Sequence, residues 1–215
     1  LILFLLFSAA DSADYFPLSD LQSKSPKSDF CAGVVEPSGL SCSQHTIQTE
    51  DGFHLGVQNV SSPYHIPQGR VSPVLLIHGL FTGGDCWFLD SQEQSLGFIL
   101  ANRGFEVWVG NVRGTRWSQG HTSLSVKDKK FWDWSWQELA LYDLAAMIRF
   151  IHNVTNSKVL LVGHSQGTII SLAALSQPDI PKMVEAAALL CPISYLDHIT
   201  APFVLRLVHM HLDEV

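Results

Sequence analysis

The order of apolar and polar residues along this chain predicts most of its elements. Residues 45–49 and 53–57 are short strand-like runs flanking Glu50-Asp51-Gly52, and an Asp-Gly pair in that place predicts a hairpin. Residues 73–77 are wholly apolar and lead into a loop holding Gly79, Gly83 and Gly84. Leu96, Ile99 and Leu100 have helical spacing, with Gly104 as a stop before an apolar strand at 105–109. Ser135-x-x-Glu138 is a capping box, and Leu141, Leu144, Ile148 and Ile151 continue it as a helix ending by Asn153. Residues 159–162 form another apolar strand. Ile169, Ile170, Ala173 and Ala174 suit a buried helix ended by Pro178, and residues 186–190 are again uniformly apolar.

Strands without polar alternation, separated by helices, predict an α/β fold: a mostly parallel sheet covered by helices on both faces. Residues 30–191 are the expected core of one domain. Residues 11–29, rich in Ser, Lys, Pro and Asp, read as a flexible lead-in. Residues 1–10 open on Leu1-Ile2-Leu3-Phe4-Leu5-Leu6-Phe7 and pass to Ser8-Ala9-Ala10, the pattern of a secretory signal remnant, with a core strand as the alternative. The run meets Asp11 and Asp14 far short of the roughly 20 apolar residues a transmembrane anchor needs.

Composition narrows the chemistry. The chain of 215 residues is 47% hydrophobic, 15% charged and carries a formal charge of −7, so no basic surface for a nucleic acid is expected. Four cysteines are too few for a disulfide scaffold; Cys31 and Cys42 could close a short loop, or all four could be free thiols. In a secreted chain, Asn59-Val60-Ser61 and Asn153-Val154-Thr155 are glycosylation acceptors. His209-x-His211 near Asp213 reads as polar positions on a helix rather than a metal site.

The candidate chemistry lies in Gly163-His164-Ser165-Gln166-Gly167, which follows an apolar strand and precedes a helix. A serine hydroxyl is a weak nucleophile unless the fold exposes it, pairs it with a base and stabilises the oxyanion made on attack. A strand-turn-helix elbow supplies the exposure, with Gly163 and Gly167 letting strand and helix approach. The amide of Gln166, at the start of the helix, is one expected oxyanion donor. The second is the amide of Leu80 in the loop His78-Gly79-Leu80-Phe81. His164 is expected to point away from the attacked side, and His78 to shape the loop. The aromatic run Phe131-Trp132-Asp133-Trp134-Ser135-Trp136 is expected to pack at a helix entry. Asn111-Val112-Arg113-Gly114 should lie at the carboxyl end of the sheet, as ligand contact or as loop scaffold.

Taken together, His78-Gly79-Leu80-Phe81, the stretch from Trp108 through Gly114, Phe131-Trp132-Asp133-Trp134-Ser135-Trp136-Gln137-Glu138 and Gly163-His164-Ser165-Gln166-Gly167-Thr168 closely resemble the acid lipase family of gastric and lysosomal acid lipases. Ser194-Tyr195-Leu196-Asp197-His198 and His211-Leu212-Asp213 look most like its plant triacylglycerol lipase branch. The resemblance implies an α/β-hydrolase fold with a helical cap beginning at 192–215. It implies a Ser-Asp-His triad acting without metal or organic cofactor on triacylglycerols or sterol esters at a lipid–water interface, in a secreted or vacuolar/lysosomal protein. Ser165 maps to the nucleophile, and Leu80 and Gln166 to the oxyanion donors. The triad acid and histidine, most of the cap and the last strands of the sheet are expected beyond Val215, so this segment alone should be nearly inactive. The alternative is a non-catalytic product that at most binds lipid.

Overall fold

The structure, a computed structural model, describes residues 2–5, 29–64 and 72–194. Its strands are β1 (Ile2–Leu5), β2 (Ser41–Gln48), β3 (Phe53–Ser61), β4 (Pro73–Ile77), β5 (Glu106–Gly110), β6 (Gly120–His121), β7 (Val159–His164) and β8 (Val184–Leu190). Among the described residues they form one sheet in the order β1-β8-β7-β4-β5-β3-β2, with β6 added beside β3. The β1-β8, β8-β7, β7-β4 and β4-β5 pairs are parallel, and the β5-β3 and β3-β2 pairs are antiparallel.

The hairpin is longer than the sequence suggests, because β2 and β3 pair from Ser41↔Ser61 to Gln48↔His54 around the Asp-Gly turn. Residues 2–5, which the sequence assigns to a signal remnant with a core strand as the alternative, form strand β1 here, in parallel register with 187–190. That pairing gives the outer edge of β8 the backbone partners an open edge lacks.

Both faces of the sheet are covered. On β4, Leu75 and Ile77 join one apolar cluster with Leu144, Met147, Ile148 and Ile170, while Val74 and Leu76 join the other with Phe98, Val107 and Val109. Alternate residues of a strand point to opposite faces, so a strand apolar at every position must be buried twice. The helices are α1 (Leu96–Asn102), α2 (Trp136–Glu138), α3 (Ala145–Thr155), α4 (Gln166–Leu175) and α5 (Ile180–Met183). Ser135 forms the expected capping box with Glu138. From there α2 runs through a π-helical stretch, Leu139–Leu144, into α3, which closes on Asn156 in the left-handed region.

The π-helical stretch corrects one expectation. Leu141, predicted on the apolar face, is 45% exposed, whereas Leu139, Ala140, Asp143 and Leu144 turn inward. A wider turn shifts the face by part of a residue step, which a 3.6-residue period does not foresee. The aromatic run packs as expected: Phe131 is buried, and Trp132, Trp134 and Trp136 lean on the same cluster. Cys31 and Cys42 are disulfide-bonded, fastening the turn at 31–35 to the start of β2. Among the described residues no helix is long and apolar enough to cross a membrane.

Candidate active site

Two chain ends meet at the middle of the sheet. β4 and β7 are parallel neighbours in the register Ile77↔Gly163, so the loop starting at His78 and the turn at Ser165 leave the same edge side by side. On one side of β4 the chain continues to β5 and on the other it returns as β7, so the carboxyl ends of these strands are the switch point where open α/β sheets bind ligands.

Ser165 stands at that switch point on a strained backbone, φ 52° and ψ −116°, between β7 and α4. A non-glycine residue held there costs of order 1–3 kcal/mol and persists only where its surroundings enforce it. Here they do. The Ser165 amide donates to the Leu190 carbonyl at 3.0 Å, and the Ser165 carbonyl accepts from the amide of Thr168 at 2.9 Å and its hydroxyl at 2.6 Å. The Thr168 hydroxyl oxygen also accepts from the Ile193 amide at 2.8 Å, so the chain after β8 is pinned against the elbow.

The flanking glycines are required by contact. A Cβ on Gly167 would lie 2.6 Å from the Ile77 carbonyl oxygen and 2.9 Å from that of His78. A Cβ on Gly163 would lie 2.6 Å from the Gly167 carbonyl oxygen. The loop after β4 presses equally close, since a Cβ on Gly79 would be 3.2 Å from Ser165 Cβ. Half-buried Ser165 therefore packs against Gly79, and its neighbour Gln166 opens α4, where the first amides have no acceptor within the helix.

His78 is the hinge pin of this loop. Its Nε2 accepts from the Val112 amide at 3.3 Å, so the proton sits on Nδ1, which donates to the Gly79 carbonyl at 2.8 Å. Burial holds its pKa below the usual histidine range, outweighing the opposing pull of that bond and of Asp85. His78 thus ties the loop after β4 to the segment after β5 through its two ring nitrogens. His164 sits edge-on to Trp87, ring centroids 6.3 Å apart. His121 and His152 bond loop backbone: His121 Nδ1 accepts from the amides of Ser123 and Leu124, and His152 Nδ1 pairs with the Ser157 carbonyl. Among the described residues no histidine bonds the Ser165 hydroxyl. Asp197, His198, His209, His211 and Asp213 lie outside the described residues.

Beyond the loop, the segment Asn111-Val112-Arg113-Gly114 is a scaffold built on buried polar groups. Arg113 donates through Nη1 and Nη2 to Asp51 at 2.6 and 2.9 Å, and through Nε and its own amide to Asp143, both at 2.8 Å. Its guanidinium carbon lies 3.9 Å from the centre of the Phe53 ring. Burial pushes the Asp143 carboxyl up to about 6, against the pull of Arg113. The sequence places Arg113 but gives no sign that its partners are the hairpin turn and a helix; an aspartate beside Leu144 on an apolar helix face is the available clue.

The remaining candidates fall outside the chemistry at the switch point. Asn59 lies within β3 with its amide donating to Glu106 at 3.0 Å, whereas Asn153 is exposed on the last turn of α3. Cys86 is a half-buried thiol that burial pushes up to about 11, and Cys191 is free and exposed. Among the described residues no group of histidine, cysteine or acidic side chains could hold a metal ion.

A family model described as the alpha/beta hydrolase fold matches residues 72–211, and one described as a partial alpha/beta-hydrolase lipase region matches residues 31–91. The chain belongs to the α/β-hydrolase family. It is 60% identical over 197 residues to triacylglycerol lipase 1 of Arabidopsis thaliana, covering 92% of this chain and 50% of that protein. It is 40% identical to the human lysosomal acid lipase/cholesteryl ester hydrolase, covering 79% of this chain and 43% of that one. The chain thus spans about half the length of these curated relatives. Among solved structures, esterase Est22 aligns with a TM-score of 0.53 at 18% identity, over 78% of this chain and 48% of its own. Oligopeptidase B of Trypanosoma brucei aligns at 0.52 and 14% identity, over 73% and 21%. At such identities the likeness is one of α/β-hydrolase fold.

Proposed function

We propose that the polypeptide carrying this chain hydrolyses neutral-lipid esters, triacylglycerols or sterol esters, through an acyl-Ser165 intermediate. The observation that carries this reading is the strained Ser165 elbow, with the Gly79 loop against its Cβ. Two lipase relatives at 60% and 40% identity support the substrate class. Ser165 Oγ attacks the ester carbonyl and gives up its proton to a base; the carbonyl oxygen becomes an oxyanion held by the Leu80 and Gln166 amides. The alcohol leaves with a proton, and water then releases the fatty acid and restores the serine. No cofactor enters these steps.

Leu80 and Phe81 are 43% and 69% exposed beside the serine. Apolar side chains at that place suit a lipid–water interface. The disulfide and the exposed Asn153 acceptor fit passage through the secretory pathway to the outside or to a vacuole or lysosome. The triad base and acid lie outside the described residues in this reading. Without a base and an acid, oxyanion stabilisation and binding by themselves leave roughly 10³–10⁴ over water.

A second reading, a non-catalytic lipid binder, is favoured by the lack of a base on Ser165 among the described residues. Hydrolysis of a short-chain and a long-chain ester by the full-length gene product separates the two. The enzyme reading expects turnover that falls about 10⁶-fold in Ser165→Ala; an unaffected variant, or no turnover by the intact protein, overturns it.

A further inference from the structure

The loop that carries Leu80 is held at both ends by one three-residue segment. At its start, His78 Nε2 accepts from the Val112 amide; at its end, the Gly84 amide donates to Asn111 Oδ1 at 2.9 Å. Between these points its side-chain bond is internal, from the Thr82 hydroxyl to the Gly79 carbonyl at 2.9 Å, and just past the second footing the Cys86 amide donates back to the Gly83 carbonyl at 3.1 Å. Leu80, and Phe81 at φ 58°, therefore ride on a bridge whose two footings stand on 111–113.

The footings are themselves immobilised. The Asn111 side-chain amide donates to the Gly56 carbonyl at 3.0 Å and to Gln58 Oε1 at 2.8 Å, both on β3. The Ser118 hydroxyl donates to the Asn111 carbonyl at 2.8 Å and accepts from the Gly56 amide at 2.9 Å. Arg113 adds its four bonds to Asp51 and Asp143. Asn111 is fully buried, with its acceptor turned to the loop and both donors turned to the sheet. A carboxamide alone has that pairing: a carboxylate lacks the donors, and an alkyl group strands all three partners. The fit around Gly84 is equally close, since a Cβ there would collide with Val109 and lie 3.1 Å from Asn111 Oδ1.

We propose that Asn111 is a positioning residue for ester hydrolysis, fixing the loop so that the Leu80 amide meets the oxyanion formed on attack by Ser165. This rests on the hydrolase reading above. An oxyanion donor works only within about 2.7–3.1 Å of the charged oxygen, and losing one costs about 10²–10³ in turnover. The charge develops only in the transition state, so a displaced donor lowers kcat and leaves KM nearly unchanged.

The test uses the full-length protein and a soluble ester, with a trifluoromethyl ketone as a reversible mimic of the tetrahedral anion. In Asn111→Ala, kcat is expected to fall about 10–10³-fold with KM within about threefold, and ketone affinity to weaken in step with kcat. Should Asn111→Ala not fold, Gln58→Met, which removes the acceptor behind Asn111 together with an unpartnered amide nitrogen, shows the same kcat-selective loss at smaller size. A folded Asn111 variant with unchanged kcat and ketone affinity, or one whose loss lies in KM, overturns the proposal. If Ser165→Ala is as active as the parent, the hydrolase reading itself has failed, whatever Asn111 does.

Discussion

At the scale of single residues, the site is built from positions where one atom more would not fit. Ser165 was legible because its motif combines two contact-driven glycines with a strand before and a helix after. The bonds that enforce its strained backbone were not, since Leu190 and Ile193 are reached only after α4 and α5 have crossed back. Gly167 gives the most direct test at this scale. In Gly167→Ala the new methyl lies 2.6 Å from the Ile77 carbonyl oxygen, so β4 and the elbow must part. A shift approaching 1 Å at the reacting atoms costs about 10²-fold in rate, and overpacking of this kind destabilises by about 1–3 kcal/mol. Turnover of the full-length protein and its thermal midpoint check both; a variant that matches the parent in each would mean the close approach is not needed.

At the scale of elements, the strands and helices follow the apolar pattern, and the departures have physical causes. β3 carries Gln58 and Asn59 among its apolar residues, which breaks the sequence signal although the ladder with β2 continues. The π-helical stretch at Leu139–Leu144 brings Asp143 fully inward, and this sets up the ion pair with Arg113. That pair joins the hairpin turn, the loop after β5 and the helix, three elements no local pattern links; Asp51 and Arg113 are 62 residues apart. Removing one partner of a buried pair leaves the other charge uncompensated, at about 3–5 kcal/mol. Arg113→Met is expected to lose stability of that order at neutral pH in chemical denaturation.

The pH dependence of this loss has a defined sign. Asp143 has a folded pKa of about 6, above its unfolded value of 3.8, so its contribution is fully present below 3.8 and lost as pH rises through about 6. The penalty of Arg113→Met therefore shrinks toward acid pH, where Asp143 takes up a proton instead of remaining an unpaired anion. A penalty that grows on acidification would contradict the buried pairing. His78 acts oppositely in the parent: its folded pKa lies below the unfolded 6.5, so its contribution is present above 6.5 and is lost as pH falls below it.

At the scale of the whole molecule, a central parallel sheet places the Ser165 turn and the Leu80 loop on one edge, and both apolar faces hold that edge still. The covered sheet was readable from strands lacking polar alternation. Its order was not, because nothing local says that β7 returns to the far side of β4. The segment 2–5 shows the same limit: its apolar run fits a signal or a strand, and only the edge of β8 selects the strand seen here.

The most direct test of the account is covalent. Full-length protein treated with a fluorophosphonate should form one adduct, with the Ser165 oxygen bonded to phosphorus and fluoride released, because an activated serine beside oxyanion donors is what such reagents capture. Peptide mapping by mass spectrometry is expected to find it on Ser165 in the folded protein and not after denaturation. Modification of a different residue, or ester hydrolysis that continues with Ser165 unmodified, would contradict the central claim.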